Sequence, residues 1–168
     1  MIVLGIDPGT ATTGYGVVRT DENGVMRVVD YGLIETSKDD TPGKRLVEIH
    51  EQLANVIIVK HHPDIFVIEK LFFATNAKTA IRVGQAQGAM LMAAARHNLT
   101  VFEYSPMTIK KVVAGSGRAG KEDVQNSVRK YLGQSVREKK GKKTHFDNAA
   151  DALAVAMCHI MQGGENNG

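Results

Sequence analysis

The stretch Ile2-Val-Leu-Gly-Ile-Asp-Pro-Gly-Thr10, followed by Gly14-Tyr-Gly-Val-Val-Arg19, is where the fold is read. Ile2 to Ile6 is a short apolar run closed by Asp7-Pro8-Gly9, and Gly14 to Arg19 is again apolar and small, so two strands joined by a turn are expected. A third strand is expected from Val25 to Ile34, and the turn Glu22-Asn23-Gly24 before it predicts an antiparallel hairpin. The sheet therefore opens as a meander. Beyond Thr41 the period becomes helical: Leu46, Ile49, Leu53, Val56 and Ile57 share one face, Pro42 stands near the start, and the helix should end near His61. After Pro63-Asp64, Ile65-Phe-Val-Ile-Glu69 is a continuous apolar run, the pattern of a strand buried on both faces, and its last residue is a carboxylate. A long helix over Ala77 to His97 and a strand over Leu99 to Tyr104 complete a βαβ unit with parallel strands. Further helices are expected over Pro106 to Ala114, over Lys121 to Leu132, and from about Asp147 to Met161. The sum is an α/β chain with a mixed five-stranded sheet flanked by helices.

A chain of 168 residues, 43% of them hydrophobic, can bury a core without a disulfide or a structural metal. One domain over 1–162 and a frayed tail over 163–168 are expected. Lysine and arginine total 21 against 18 acids, a net charge of +3 that allows a polyanionic partner without requiring one. Their distribution says more: Arg137, Lys139, Lys140, Lys142 and Lys143 crowd into a basic segment holding one acid, Glu138. Lone Cys158, in an apolar helical setting, excludes an intramolecular disulfide and points to a reducing compartment. The N-terminus has no basic region ahead of its apolar stretch, and no apolar run approaches the ~20 residues that span a bilayer, so a cytoplasmic chain is expected.

Three acids stand out by position. Asp7 ends the first strand, Glu69 ends a buried strand, and Asp151 lies in the first turns of the last helix. Singly they read as a turn residue, a solvated strand end and a helix N-terminal acid. A sheet that sets the first strand beside the Glu69 strand, with the last helix across it, would gather all three at one edge. Carboxylates so gathered raise one another's pKa unless a cation neutralises them, and hard oxygen donors suit Mg²⁺ or Mn²⁺. His61, His62 and His159 lack zinc-site spacing and read as surface or helix-end residues. Gly84 and Gly88, four apart among Ala80, Ala86 and Ala89, allow close approach either of the sheet or of the same helix in a second copy.

Several strings agree in order along nearly the whole chain. They are Leu4-Gly-Ile-Asp-Pro-Gly-Thr10 with Thr13-Gly-Tyr-Gly-Val17, Ile68-Glu-Lys-Leu-Phe72, Gly84-Gln-Ala-Gln-Gly88, Val101-Phe-Glu-Tyr104, Ile109-Lys-Lys-Val-Val113, Gly115-Ser-Gly117 and Ala149-Ala-Asp-Ala-Leu-Ala-Val155. The ordered set resembles the RuvC-type Holliday-junction resolvases. That resemblance implies a ribonuclease H-like fold, hydrolysis of DNA at four-way junctions, a homodimer, and a branch-migration motor complex as partner. It puts Asp7, Glu69 and Asp151 on catalytic, metal-binding positions served by two Mg²⁺ ions. A fourth such position falls on Asn148, where the family usually has an acid or, in some members, a histidine; Asp147 and His145 stand beside it. Asp147 also reads as a helix N-cap. An Asn carbonyl can ligate Mg²⁺ but brings no charge.

The same resemblance places Lys110 and Lys121 near the scissile strand and Phe72 against unpaired bases, while the basic segment offers Lys139, Lys140, Lys142 and Lys143 for phosphate contacts. Two other readings remain open. Asn148 could leave a junction-binding protein with weakened catalysis. The string Gly5-Ile-Asp-Pro-Gly-Thr10 alone also resembles the phosphate loops of actin-like and sugar-kinase ATPases, although the length leaves no room for a second lobe.

Overall fold

The computed structural model describes residues 1–71, 77–133 and 143–163, with backbone alone for 143–148. Its strands are β1 Ile2–Asp7, β2 Thr12–Thr20, β3 Met26–Glu35, β4 Ile65–Glu69 and β5 Thr100–Tyr104. They form one sheet in the order β3-β2-β1-β4-β5. The meander pairs antiparallel, β1 with β2 and β2 with β3, whereas β4 runs parallel to both β1 and β5. That is the mixed five-stranded sheet expected, with β1 beside the strand that ends in Glu69.

Helix α1, Pro42–Glu51, starts as Pro42 suggests: Thr41 caps it by accepting from the Lys44 amide. The helical path then widens into a π-helical stretch, Gln52–Ile58, and closes with α2, Val59–His61. His62, at φ 45°, turns the chain out in the left-handed conformation. The remaining helices are α3 Ala77–Arg96, α4 Pro106–Ala114, α5 Lys121–Leu132 and α6 Lys143–Met161. Helix α6 begins earlier than expected from the sequence. Gly141 is the last helix breaker before it, so the turn from Lys143 can join the helix. Asp147 therefore sits inside α6, and its reading as an N-cap is corrected.

Alternation along the strands divides the core in two. Leu4, Ile6, Phe66 and Ile68 face α1, the π-helical stretch and α3, where Ile49, Leu53, Ala86 and Met90 meet them. Val3, Val67 and Tyr104 face α4, α5 and α6, packing with Ile109, Val128, Leu153 and Val155. Gly5 and Gly16 pair across β1 and β2 on this second face. A Cβ at Gly16 would lie 2.8 Å from the Leu153 amide nitrogen, and one at Gly5 would lie 2.9 Å from the Ala156 Cβ and closer still to the backbone of Ala152. The two glycines thus open a window through which the backbone of α6 touches the sheet.

Gly5→Ala should therefore cost about 1–3 kcal/mol, the usual scale of overpacking, because the obstruction is backbone that cannot swing aside. Urea denaturation checks this; an unchanged midpoint would show that α6 can lift off at no cost.

Candidate active site

Strand parity brings the acids together. Ile6 pairs with Ile68, so the next residues, Asp7 and Glu69, lie side by side at the carboxyl ends of β1 and β4 and point toward α6. Helix α6, held close by Gly5 and Gly16, carries Asp151 to the same place. All three carboxylates line one open cleft of about 300 Å³, with Lys110 from α4, Lys121 from α5 and Ile109 forming other parts of its wall.

The turn after Asp7 is tied down by side chains. The Thr13 hydroxyl donates to the Gly9 carbonyl at 2.7 Å, the Thr36 hydroxyl to the Thr10 carbonyl at 2.7 Å, and Arg45 Nε to Thr36 Oγ1 at 2.8 Å. Helix α4 begins under a similar restraint, Ser105 Oγ accepting from the Thr108 amide at 3.1 Å with Pro106 next in the chain. Helix α5 is held at its start by the Gly120 amide, which donates to Asp123 at 2.9 Å and brings Lys121 to the cleft rim.

Burial, with Glu69 and then Asp151 adding repulsion, pushes the Asp7 carboxyl up to about 7; Lys121 offsets this only in part. Burial followed by repulsion from Asp151 likewise pushes Glu69 up to about 7, against the pull of Lys110. Lys121 Nζ sits 3.2 Å from Asp151 Oδ2. Half of that lysine side chain is in solvent, so the pair adds little stability; its effect is on the charge of the cleft.

These donors fit a divalent ion: hard carboxylate oxygens, mutually repelling, at a cleft open to water. Among the described residues no three His, Cys, Asp or Glu side chains close on a single point. An ion here would thus complete its shell with water, phosphate or further donors. The side chains of His145, Asp147 and Asn148 lie outside the described part; the backbone places Asn148 one turn before Asp151 in α6. Phe72, Lys139, Lys140 and Lys142 also lie outside the described residues, as does the side chain of Lys143, which opens α6.

Several expectations need correction. Gly88 is exposed and a Cβ there would meet nothing, while one at Gly84 would make only ordinary contact with Leu71, so neither glycine serves packing on the sheet. Ala86, Met90, Ala93 and Ala94 fill that role. His159 is buried rather than at the surface, with Nδ1 3.0 Å from the Tyr104 hydroxyl and its ring tilted on Phe102. Burial lowers its pKa, disfavouring the charged ring. His61 is also largely enclosed and meets the Asp30 carboxylate at 2.8 Å, a carboxylate that Lys60 shares at 2.9 Å. Helical periodicity in α6 and the inward parity of Tyr104 on β5 are the signals that reveal the Tyr104–His159 pair; zinc-ligand spacing, a test for metal sites alone, passes over it.

A mixed five-stranded sheet covered by helices on both faces, with an acidic cleft at the ends of β1 and β4, is the ribonuclease H-like architecture of the solved RuvC structures. A family model described as "Crossover junction endodeoxyribonuclease RuvC" matches residues 3–159. The protein of that name from Caldicellulosiruptor saccharolyticus is 43% identical over 161 residues, covering 96% of this chain and 93% of its own. The one from Moorella thermoacetica is 45% identical over 159 residues, covering 95% and 90%. Among solved structures, the Thermus thermophilus RuvC in complex with Holliday junction substrate superposes with a TM-score of 0.85 at 32% identity, over 98% of this chain and 95% of that one. The yeast mitochondrial Holliday junction resolvase Ydc2, 18% identical with a TM-score of 0.69, shares the fold. This chain belongs to the RuvC family of crossover junction endodeoxyribonucleases. Nucleases of the family depend on a divalent metal.

One consequence concerns stability without metal. Asp7 binds its proton below about 7 when folded but only below its ordinary 3.8 when unfolded. It therefore costs nothing at low pH and progressively more as pH rises to 7, up to about 4 kcal/mol by linkage. Asp7→Asn should raise the Tm by several degrees in EDTA at pH 8, with the gain shrinking toward zero by pH 4. Differential scanning calorimetry reads it; a constant gain across pH would contradict the assigned cause.

Proposed function

We propose that this chain is a Mg²⁺-dependent endonuclease that resolves four-way DNA junctions by paired, symmetric nicks. The observation that carries the reading is the convergence of Asp7, Glu69 and Asp151 on one cleft with Lys110 and Lys121 on its walls. The solved relative bound to a Holliday junction supports the choice of substrate.

Asp7, Glu69 and Asp151 would together hold two Mg²⁺ ions, and Mn²⁺ would serve as well. When bound, the ions supply a more acidic water and neutralise charge on the phosphate. Asn148 would add a neutral carbonyl donor at the fourth position. Lys121, at the cleft rim beside Asp151, and Lys110 on α4 would offer their ammonium groups to the scissile phosphate. Phe72 would stack on an unpaired base, and Lys139, Lys140, Lys142 and Lys143 would hold the backbone of the arms.

The symmetry of the substrate favours a homodimer, since a C2 pair presents two equal clefts to a near two-fold junction. Helix α3 is the candidate interface: it leaves Ile81 and Met92 exposed beside the open flank of Gly84 and Gly88. A branch-migration motor would supply the moving junction. No helix among the described residues is long and apolar enough to cross a membrane. A cytoplasmic location accords with DNA as substrate and with Cys158 as a buried free thiol.

A synthetic four-way junction, with linear duplex as control, tests the reading. Mg²⁺ should produce paired nicks in the junction, EDTA should abolish them, and duplex should survive. Asp7→Asn should lose nicking yet keep junction affinity, because lysines supply binding while carboxylates supply chemistry. Equal cutting of duplex would overturn the assignment.

Asn148 favours a second reading, a junction binder with weakened cleavage. Asn148→Asp separates the two: an added carboxylate should strengthen divalent binding and raise nicking, with each ~1.4 kcal/mol gained in the transition state worth about tenfold in rate. Loss of activity in Asp147→Ala with no response to Asn148→Asp would move the fourth ligand to Asp147.

A further inference from the structure

Helix α4 borders a second depression, of about 640 Å³, lined by Met107, Lys110, Lys111, Ser116, Gly117 and Arg118. It shares Pro106 and Lys110 with the acidic cleft, so the two adjoin. Met107 belongs to neither core cluster and is 60% exposed, an apolar side chain set among three cationic ones. The loop facing it is fixed. Gly115 takes φ 81° to end α4, the Arg118 amide donates to Ser116 Oγ at 3.2 Å, and the Ala119 amide donates to the Ser116 carbonyl at 3.0 Å. Gly117 lies so near that a Cβ would come within 2.7 Å of Met107 Cγ. Thioether and loop are thus pressed together, and the rim is formed before any ligand arrives.

We propose that this depression receives one unstacked nucleotide of the cleaved strand, its base against Met107 and its phosphate between Lys111 and Arg118. The inference rests on the nuclease reading above. A nucleobase offers a flat, poorly hydrated face that suits a polarisable thioether, and the attached phosphate suits a cationic rim. An apolar partner without negative charge would make no use of Lys111 and Arg118 at the rim. Adjacency across Lys110 then sets the place of the nucleotide: it is a close neighbour of the scissile phosphate in the acidic cleft. Ser116 Oγ stands at the rim as a hydrogen-bonding group for the edge of the base, which makes the pocket a source of sequence preference near the cut.

Junctions carrying one abasic site, walked position by position across the nucleotides flanking the cut, test the proposal. Wild-type protein should nick the intact junction and lose roughly tenfold in rate at one flanking position, equivalent to ~1.4 kcal/mol. Met107→Asp, a change at an exposed site, should nick the intact junction more slowly and show no further loss at that position. Lys111→Ala with Arg118→Ala should lower the slope of log affinity against log salt by roughly 0.9 for each phosphate left without its cation. An abasic penalty that persists in Met107→Asp, or that is absent from the wild type, would overturn the pocket while leaving the nuclease reading intact. Failure to nick the intact junction would overturn that reading and the pocket with it.

Discussion

Helix α6 lies against the sheet because Gly5 and Gly16 face each other across β1 and β2 without side chains. The geometry of the acidic cleft depends on that contact. Ala152 and Ala156 carry only methyl groups where α6 meets Gly5, and the backbone of Leu153 meets Gly16, so backbone approaches backbone at both glycines. At that depth the first turns of α6 reach the carboxyl ends of β1 and β4. Asp151 can then join Asp7 and Glu69. A larger residue at either glycine would separate the third acid from the other two.

Three carboxylates in one cleft oppose folding, and the molecule tolerates them because the sheet around them is saturated with apolar contact. Every strand that delivers an acid also delivers Leu4 and Ile6, or Phe66 and Ile68, to the opposite cluster. The same short segments therefore carry both the repulsion and the packing that overcomes it. A divalent cation bound among the carboxylates would relieve the repulsion and so stabilise the folded chain.

The sheet is legible in the sequence because its strands are bounded by strong punctuation: Asp7-Pro8-Gly9, Asn23-Gly24, Pro63-Asp64. So is the neighbourhood of Asp7 and Glu69, which follows from parity once β1 pairs with β4. Less legible are features whose cause lies in partners distant along the chain. Nothing local marks Gly5 and Gly16 as a window for α6, since alternating small residues in a strand have the same appearance when they face solvent. His159 reads as a helix-end residue because its partners, Phe102 and Tyr104 of β5, lie more than fifty residues away, and the periodicity of α6 marks a buried face without naming what covers it. Taking Asp147 for a cap starts α6 too late, because no breaker after Gly141 prevents the helix from beginning at Lys143. Gly84 and Gly88 advertise close packing, yet the side of α3 they occupy is turned away from the sheet.

Strand alternation also constrains how such a chain can diverge. A residue inserted or deleted within β1 or β4 would exchange the two faces, carrying Asp7 or Glu69 into the apolar cluster under α1 and α3 and presenting Ile6 or Ile68 to the cleft. No compensating substitution at one site could restore both. Length changes in descendants of this sequence should therefore collect where no face is at stake, as in the exposed turn at 21–25 between β2 and β3, while β1 and β4 keep their residue count even as their side chains drift.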